Sequence, residues 1–190
     1  MDEVVKQAMA RWPNVPNCFG WLALDRRGQW RMRNEFAQQH GLSGDPIRHE
    51  ALIGFIERNY THDGRGAWYF QNGPQRVFVS LMYAPWIARL HNGVFMTSSG
   101  RPFTPASCFA DEHGNVLLAG TVDGVESEQA ALLHDHDLDA FSVACDWHGD
   151  ASCGAVLGVF HFDGRNIDIE PIIEAEVAKR FGFVRTPTAE

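Results

Sequence analysis

One order of turn signals occurs twice along this chain, and that recurrence restricts the fold more than any other feature. In the first passage the apolar run Cys18–Leu24 leads into Asp25-Arg26-Arg27-Gly28. A glycine at the end of such a turn supplies the positive φ it needs. A returning strand follows in which Trp30 and Met32 are expected to face inward and Arg31 and Arg33 outward. Between Arg48 and Asn59 the period changes to that of a helix, with Leu52, Phe55, Ile56 and Asn59 on one side. Residues 67–71 then form a strand, Asn72-Gly73 is a hairpin signal, and residues 75–82 return.

The second passage repeats this order. Cys108-Phe109-Ala110 runs into Asp111-Glu112-His113-Gly114, and a strand follows over residues 116–119. A helix is expected next, capped by Ser127 and carrying Ala131, Leu132, Leu138 and Phe141. Residues 154–162 read as an apolar strand, Asp163-Gly164 as a tight turn, and Ile167 and Ile169 as inward positions of the returning strand. Flanking helices are expected at the N-terminus (Val5, Ala8, Met9, Trp12) and from Glu170-Pro171 to Gly182. The predicted class is therefore α+β. Two related ββαββ halves, residues 1–95 and 96–190, would each pack an antiparallel sheet or roll on a helix.

Several residues of the first half also carry a resemblance. Asp25 to Trp30, Pro46-Ile47-Arg48 opening a helix, Trp68-Tyr69-Phe70 before a hairpin, Arg76 to Val79, and Ala84-Pro85-Trp86 resemble an uncharacterised proteobacterial family. The resemblance covers residues 18–90 and implies a bacterial protein with a pair of small roll-like α+β domains and no assigned activity. Residues between Trp30 and Pro46 depart from it by a longer insert containing Gln and Gly. It carries no site residue.

Charge and cysteine usage narrow the function classes. A formal net charge of −8 argues against nucleic acid, whose phosphates require a basic face. The acidic opening lacks the basic start and apolar core of a secretory signal. No apolar run approaches the length of a membrane span. These readings predict a cytoplasmic protein without membrane contact, whose Cys18, Cys108, Cys145 and Cys153 remain thiols. Ten of the 11 cations in residues 1–95 are arginines, and 16 of the 24 acids lie in residues 96–190.

Three readings of function arise from this pattern. The leading one is a non-catalytic binding or interaction module for a small anion or a protein partner, sited near the interface of the halves. Its expected residues are Arg31 and Arg33, projecting together from one strand, with the aromatics Trp68 and Trp86. No cofactor is expected. The alternative is a hydrolase-type enzyme using His and Asp of residues 134–148. Zinc, favouring imidazole and thiolate donors, would then have His134, His136, Cys145, His148 and Cys153 to draw on. Against this, Cys153 lacks the close partner of a standard site, and adjacent His134-Asp135 on a strand would point to opposite faces. A structural homo-oligomer is the third reading. No Walker loop, dinucleotide fingerprint or nucleophile elbow is present.

Overall fold

The structure, a computed structural model, describes residues 1–148 and 156–189. Its contacts divide into two units. The first comprises Met1–Asp25, Gln29–Tyr83 and Gly182–Glu190, and the second Arg26–Gly28 and Ala84–Phe181.

Local chemistry accounts for most elements of the first unit. Helix α1 (Glu3–Arg11) starts with an acid at its N-terminal end and buries Val5. Strand β1 (Cys18–Leu24) and strand β2 (Trp30–Met32) flank the first turn, where Asp25 Oδ1 accepts from the Gln29 amide at 2.8 Å. The insert after Trp30 forms helix α2 (Glu35–Gln39), capped by Asn34, and the short edge strand β3 (Asp45–Pro46). Helix α3 (Glu50–Arg58) follows, then β4 (Tyr60–His62), β5 (Trp68–Asn72) and β6 (Gln75–Leu81).

The sheet runs β3-β2-β1-β6-β5-β4, with a parallel pair, β1 and β6, at its centre and antiparallel pairs elsewhere. One face packs on α3, where Phe55 meets Phe70 edge-on at 5.3 Å. On the other, buried Ala67, Tyr69 and Phe78 pack with Phe19 and with Val184 of the C-terminal segment. That second cover explains the strand positions that are apolar on both sides. Met32 departs from its expected inward position: it is exposed, although its neighbour Trp30 is buried. It pairs with Asp45 of a two-residue edge strand, where the sheet is too narrow to cover it.

The second unit opens with a hairpin absent from the first. Strands β7 (Trp86–His91) and β8 (Val94–Thr97) precede β9 (Phe103–Asp111), β10 (Val116–Val122) and β11 (Gln129–Leu133). A 3₁₀ turn (Asp135–Asp137) enters helix α4 (Leu138–Val143), followed by β12 (Cys145–Trp147), β13 (Gly158–Phe162), β14 (Arg165–Ile172) and helix α5 (Glu174–Arg180). The sheet order is β12-β13-β14-β9-β10-β11-β7-β8, with β14 parallel to β9 and β11 parallel to β7. Phe141 and Phe160 meet at 4.7 Å in the core, and Phe95 lies against both Phe103 and Phe160.

Two expectations fail here. Residues 129–133 form a strand and not the start of a helix, because β11 lies between β10 and β7 and all five of its residues are buried. A short apolar run reads equally as strand or buried helix until its neighbours are known. Likewise Glu170-Pro171 continues β14, and the helix begins only at Glu174. Where ββαββ was expected, six strands stand in each set, three before and three after α3 or α4, with α2 inserted between β2 and β3: β1–β6 and β9–β14 follow the same sequence of pairings, each with its first and last strands parallel. Among the described residues, no helix is long and apolar enough to cross a membrane.

Candidate functional site

A candidate site lies in the first unit, where the end of α1 and the β5–β6 hairpin are brought together. Trp12 caps α1 and Pro13 ends it, and the chain reaches β1 through an extended loop. Gln75 Nε2 donates to Pro16 O at 3.1 Å and pins that loop to the hairpin. Gly73, at φ +57°, takes the first central position of the two-residue Gly73-Pro74 connection, a position where type II′ turns require positive φ.

The resulting cavity has a volume of ≈ 360 Å³. Met9, Trp12, Pro13, Val15 and Asn17 line it from one side, and Gln71, Pro74 and Arg76 from the hairpin. Gln71 and Arg76 are directly opposed across β5 and β6, so both side chains leave the same sheet face. Arg76 lays its guanidinium 4.8 Å from the centre of the Tyr69 ring. That contact fixes the stem while the charged fork stays beside the cavity. Gln71 is 1 % exposed. Its Nε2 donates to Gly73 O at 2.8 Å, and its Oε1 has no hydrogen-bond partner. Exchanging the amide O and N would set two carbonyl oxygens against each other, so the hydrogen bond determines which atom is left over.

The residues expected from sequence lie elsewhere. Arg31 is mostly buried, and its guanidinium meets Asp25 Oδ2 at 2.7 Å, Gly44 O and Gln29 Oε1. Arg33 donates to Leu42 O and, at 3.5 Å, to Ser80 Oγ. Trp68 is buried in the first unit against Tyr60 and His62. Trp86 is buried in the second, its Nε1 donating to Gln129 Oε1 at 3.0 Å.

The histidine- and acid-rich stretch of the second unit is tightly knit. His134, Asp135 and His136 place potential metal-ligand atoms within 4.8 Å of one another, the one such group of three among the described residues. The donors are already committed, however. His134 Nδ1 accepts from the His136 amide at 3.1 Å and lies 2.9 Å from Asp135 Oδ1, while Asp135 Oδ2 receives Arg27 Nε at 2.9 Å. One nitrogen cannot both accept from the amide and donate to the carboxylate, which weakens His134-Asp135 as an acid–base dyad. Burial, and then the Arg89 guanidinium, hold the His134 imidazole below its usual pKa despite Asp135. Burial alone would raise the pKa of Asp137. Bonds from Arg89 Nε at 2.6 Å and the Leu90 amide at 3.0 Å outweigh it and hold the carboxyl low.

Cys145 and His148 do not join this group. The Cys145 thiol donates to Phe141 O, and burial, then Asp146, push its pKa up to about 12. His148 Nδ1 faces Val156 O at 3.1 Å. Cys153 lies outside the described residues. Cys18, Cys108 and Cys145 are free thiols, and burial raises the pKa of Cys108 further still.

These features define a two-sheet α+β protein with a partly enclosed cavity in its first unit. The chain belongs to the family described as "Protein of unknown function (DUF2946)", whose sequence model matches residues 1–188. The family carries no assigned activity, as the resemblance of residues 18–90 implied. A solved structure of a DUF1285 family protein from Silicibacter pomeroyi DSS-3 is similar at 14 % identity, covering 90 % of this chain and 96 % of that one, with a TM-score of 0.49. No curated protein matches the sequence.

Nothing in the sequence marked Gln71 as special, since a polar residue near a strand end is ordinary. The available signal was its place two residues after Tyr69, on the face that also carries Ala67 and Phe78.

Proposed function

We propose that this chain is a non-catalytic binding module whose small-molecule site is the cavity between the end of α1 and the β5–β6 hairpin. The observation that carries this reading is the opposed pair Gln71 and Arg76 at a cavity walled by Met9, Trp12, Pro13 and Val15. Binding sites combine apolar side chains with directed polar groups, and here Met9, Trp12, Pro13, Val15 and Pro74 stand beside the polar Asn17, Gln71 and Arg76. The anion-binding role expected of Arg31 and Arg33 passes to Arg76 in this reading. Arg31 and Arg33 are engaged in holding β2 and its insert, and Trp68 and Trp86 belong to the cores.

The test is thermal shift of the native chain with a panel of small carboxylates bearing apolar groups. A ligand that binds only the folded state raises the melting temperature. Stabilisation that disappears in Arg76→Gln and weakens in Trp12→Ala supports the site. Equal shifts in all three proteins would place binding elsewhere.

The same reading takes the protein as a cytoplasmic bacterial one whose two sheets descend from a tandem duplication. The shared pairing order of β1–β6 and β9–β14 and the matching turns, Asp25 to Gln29 and Asp111 to Asn115, support the duplication. Superposing the two six-stranded sets in an experimental structure tests it, and α3 and α4 falling on different faces would exclude it.

A further inference from the structure

Residues 183–187 fill a gap in the sheet of the first unit. The register of β5 and β6 runs from Tyr69 opposite Phe78 to Asn72 opposite Gln75 and ends there. Past Phe78 and before Tyr69, a segment from the far end of the chain takes over. The Val184 amide donates to Gly66 O at 3.0 Å, the Leu81 amide donates to Arg185 O at 2.7 Å, and Val184 bridges Ala67 in parallel. Two successive residues of the segment thus bond one to each side of the gap. Phe183 and Pro187 are buried, Val184 packs on Ala67, Tyr69 and Phe78, and Arg185 Nη2 donates to Met82 O. Main-chain bonds together with seated side chains are the means by which a sheet takes up an extended segment.

The segment belongs to the first unit, whereas α5, which it follows, belongs to the second. Phe181 stays with the second unit, its ring 5.6 Å from that of Phe109. The change of unit falls on Gly182, which is exposed, has φ +66°, and would meet nothing within 4 Å at an added Cβ. A glycine with that room can turn or extend. We infer that the gap between β5 and β6 is a docking surface for residues 183–187 of a second copy of this chain, with Gly182 as the hinge of a reciprocal exchange. The occupant is defined by the closed form itself, since an identical segment from another copy makes the same bonds and buries the same side chains. Exchange of an identical element is for this reason a low-cost route to a dimer.

Gly182→Val separates exchange from a tail that only packs in place. Valine resists a positive φ, so the substitution burdens the closed form and spares an extended hinge. Two hinges extend per dimer, and the dimer dissociation constant should fall by about a hundredfold, which sedimentation equilibrium of native and variant full chains reads directly. A folded Gly182→Val that remains monomeric, or that dimerises no more tightly than the native chain, overturns the inference. A second measurement keeps the native hinge. Full chains carrying Ala67→Cys alone and Val184→Cys alone are mixed at high concentration and oxidised, and the products are mapped by mass spectrometry. Neither variant by itself can join positions 67 and 184, so that linkage forms only when the segment of one copy docks in the gap of another. A covalent dimer joined at 67 and 184 in the mixture, absent from either variant alone, is the expected result. A mixture without that linkage overturns the inference whether or not Gly182→Val folds.

Discussion

Replacing Gln71 by Met tests the environment of this side chain through stability alone. Methionine is close in length and unbranched, so it fills the same space without the two polar atoms. Removing the unpartnered Oε1 recovers about 1–3 kcal/mol, and losing the Nε2 bond to Gly73 O costs about 0.5–1.5 kcal/mol. Gly73 is only half-buried at a hairpin tip, so water can take over its carbonyl. The net expectation is a gain of about 1 kcal/mol, or roughly 2–4 °C in melting temperature for a chain of this size. Urea denaturation followed by tryptophan fluorescence and circular dichroism should show a higher midpoint at an unchanged slope. A lower midpoint would refute the reasoning, because it would mean that Oε1 is already bonded in solution and contributes to stability.

Three further predictions concern the fold. Gly66→Ala should be more destabilising than Gly114→Ala in urea melts: both glycines have φ +78°, but a Cβ at Gly66 lies 2.0 Å from Gly182 O and one at Gly114 meets nothing within 4 Å. Gly114→Ala thus measures the backbone term, about 1–2 kcal/mol, and the excess at Gly66 measures the contact with the C-terminal segment. Phe160→Ala, which removes a ring packed on Phe141, Phe95 and Phe162, should cost about 3–5 kcal/mol by the same assay; a loss under 1 kcal/mol would contradict the packing. His161 has its pKa raised above 6.5 by Asp146 at 2.8 Å and Asn166 at 2.9 Å, so its contribution to stability is complete below pH 6.5 and is lost as pH rises through the folded-state value. NMR titration of the His161 ring, with urea midpoints of native and His161→Gln proteins across that range, checks the sign.

The turns were the most legible part of the fold, because their causes are local. Asp25 and Asp111 each bond an amide four residues on, and Gly28 and Gly114 supply the positive φ between. The α+β class, the strands on either side of those turns, and helices α1 and α3 followed from such short-range patterns. Residues 129–133 were misread because their state depends on β10 and β7 on either side, and nothing within five residues reports that. The candidate site was less legible. Arg31 and Arg33 drew attention by alternating along a strand, yet Asp25 and the carbonyls of the following insert had already engaged them.

What the sequence determined by itself is therefore the α+β class, the positions of the tight turns and the acidic, thiol-bearing character of the chain, since each depends on neighbours within a few residues or on composition. Tertiary structure decided which strands meet: β1 runs parallel to β6 and β9 to β14, pairings closed over more than fifty residues that no local signal encodes. The same long-range closure sets Trp12 beside a hairpin some sixty residues further on, and there Gln71 and Arg76 face each other across a single register. A glutamine acquires an unpaired buried oxygen only when the chain around it has packed, because burial and hydrogen-bond supply are properties of the assembled core.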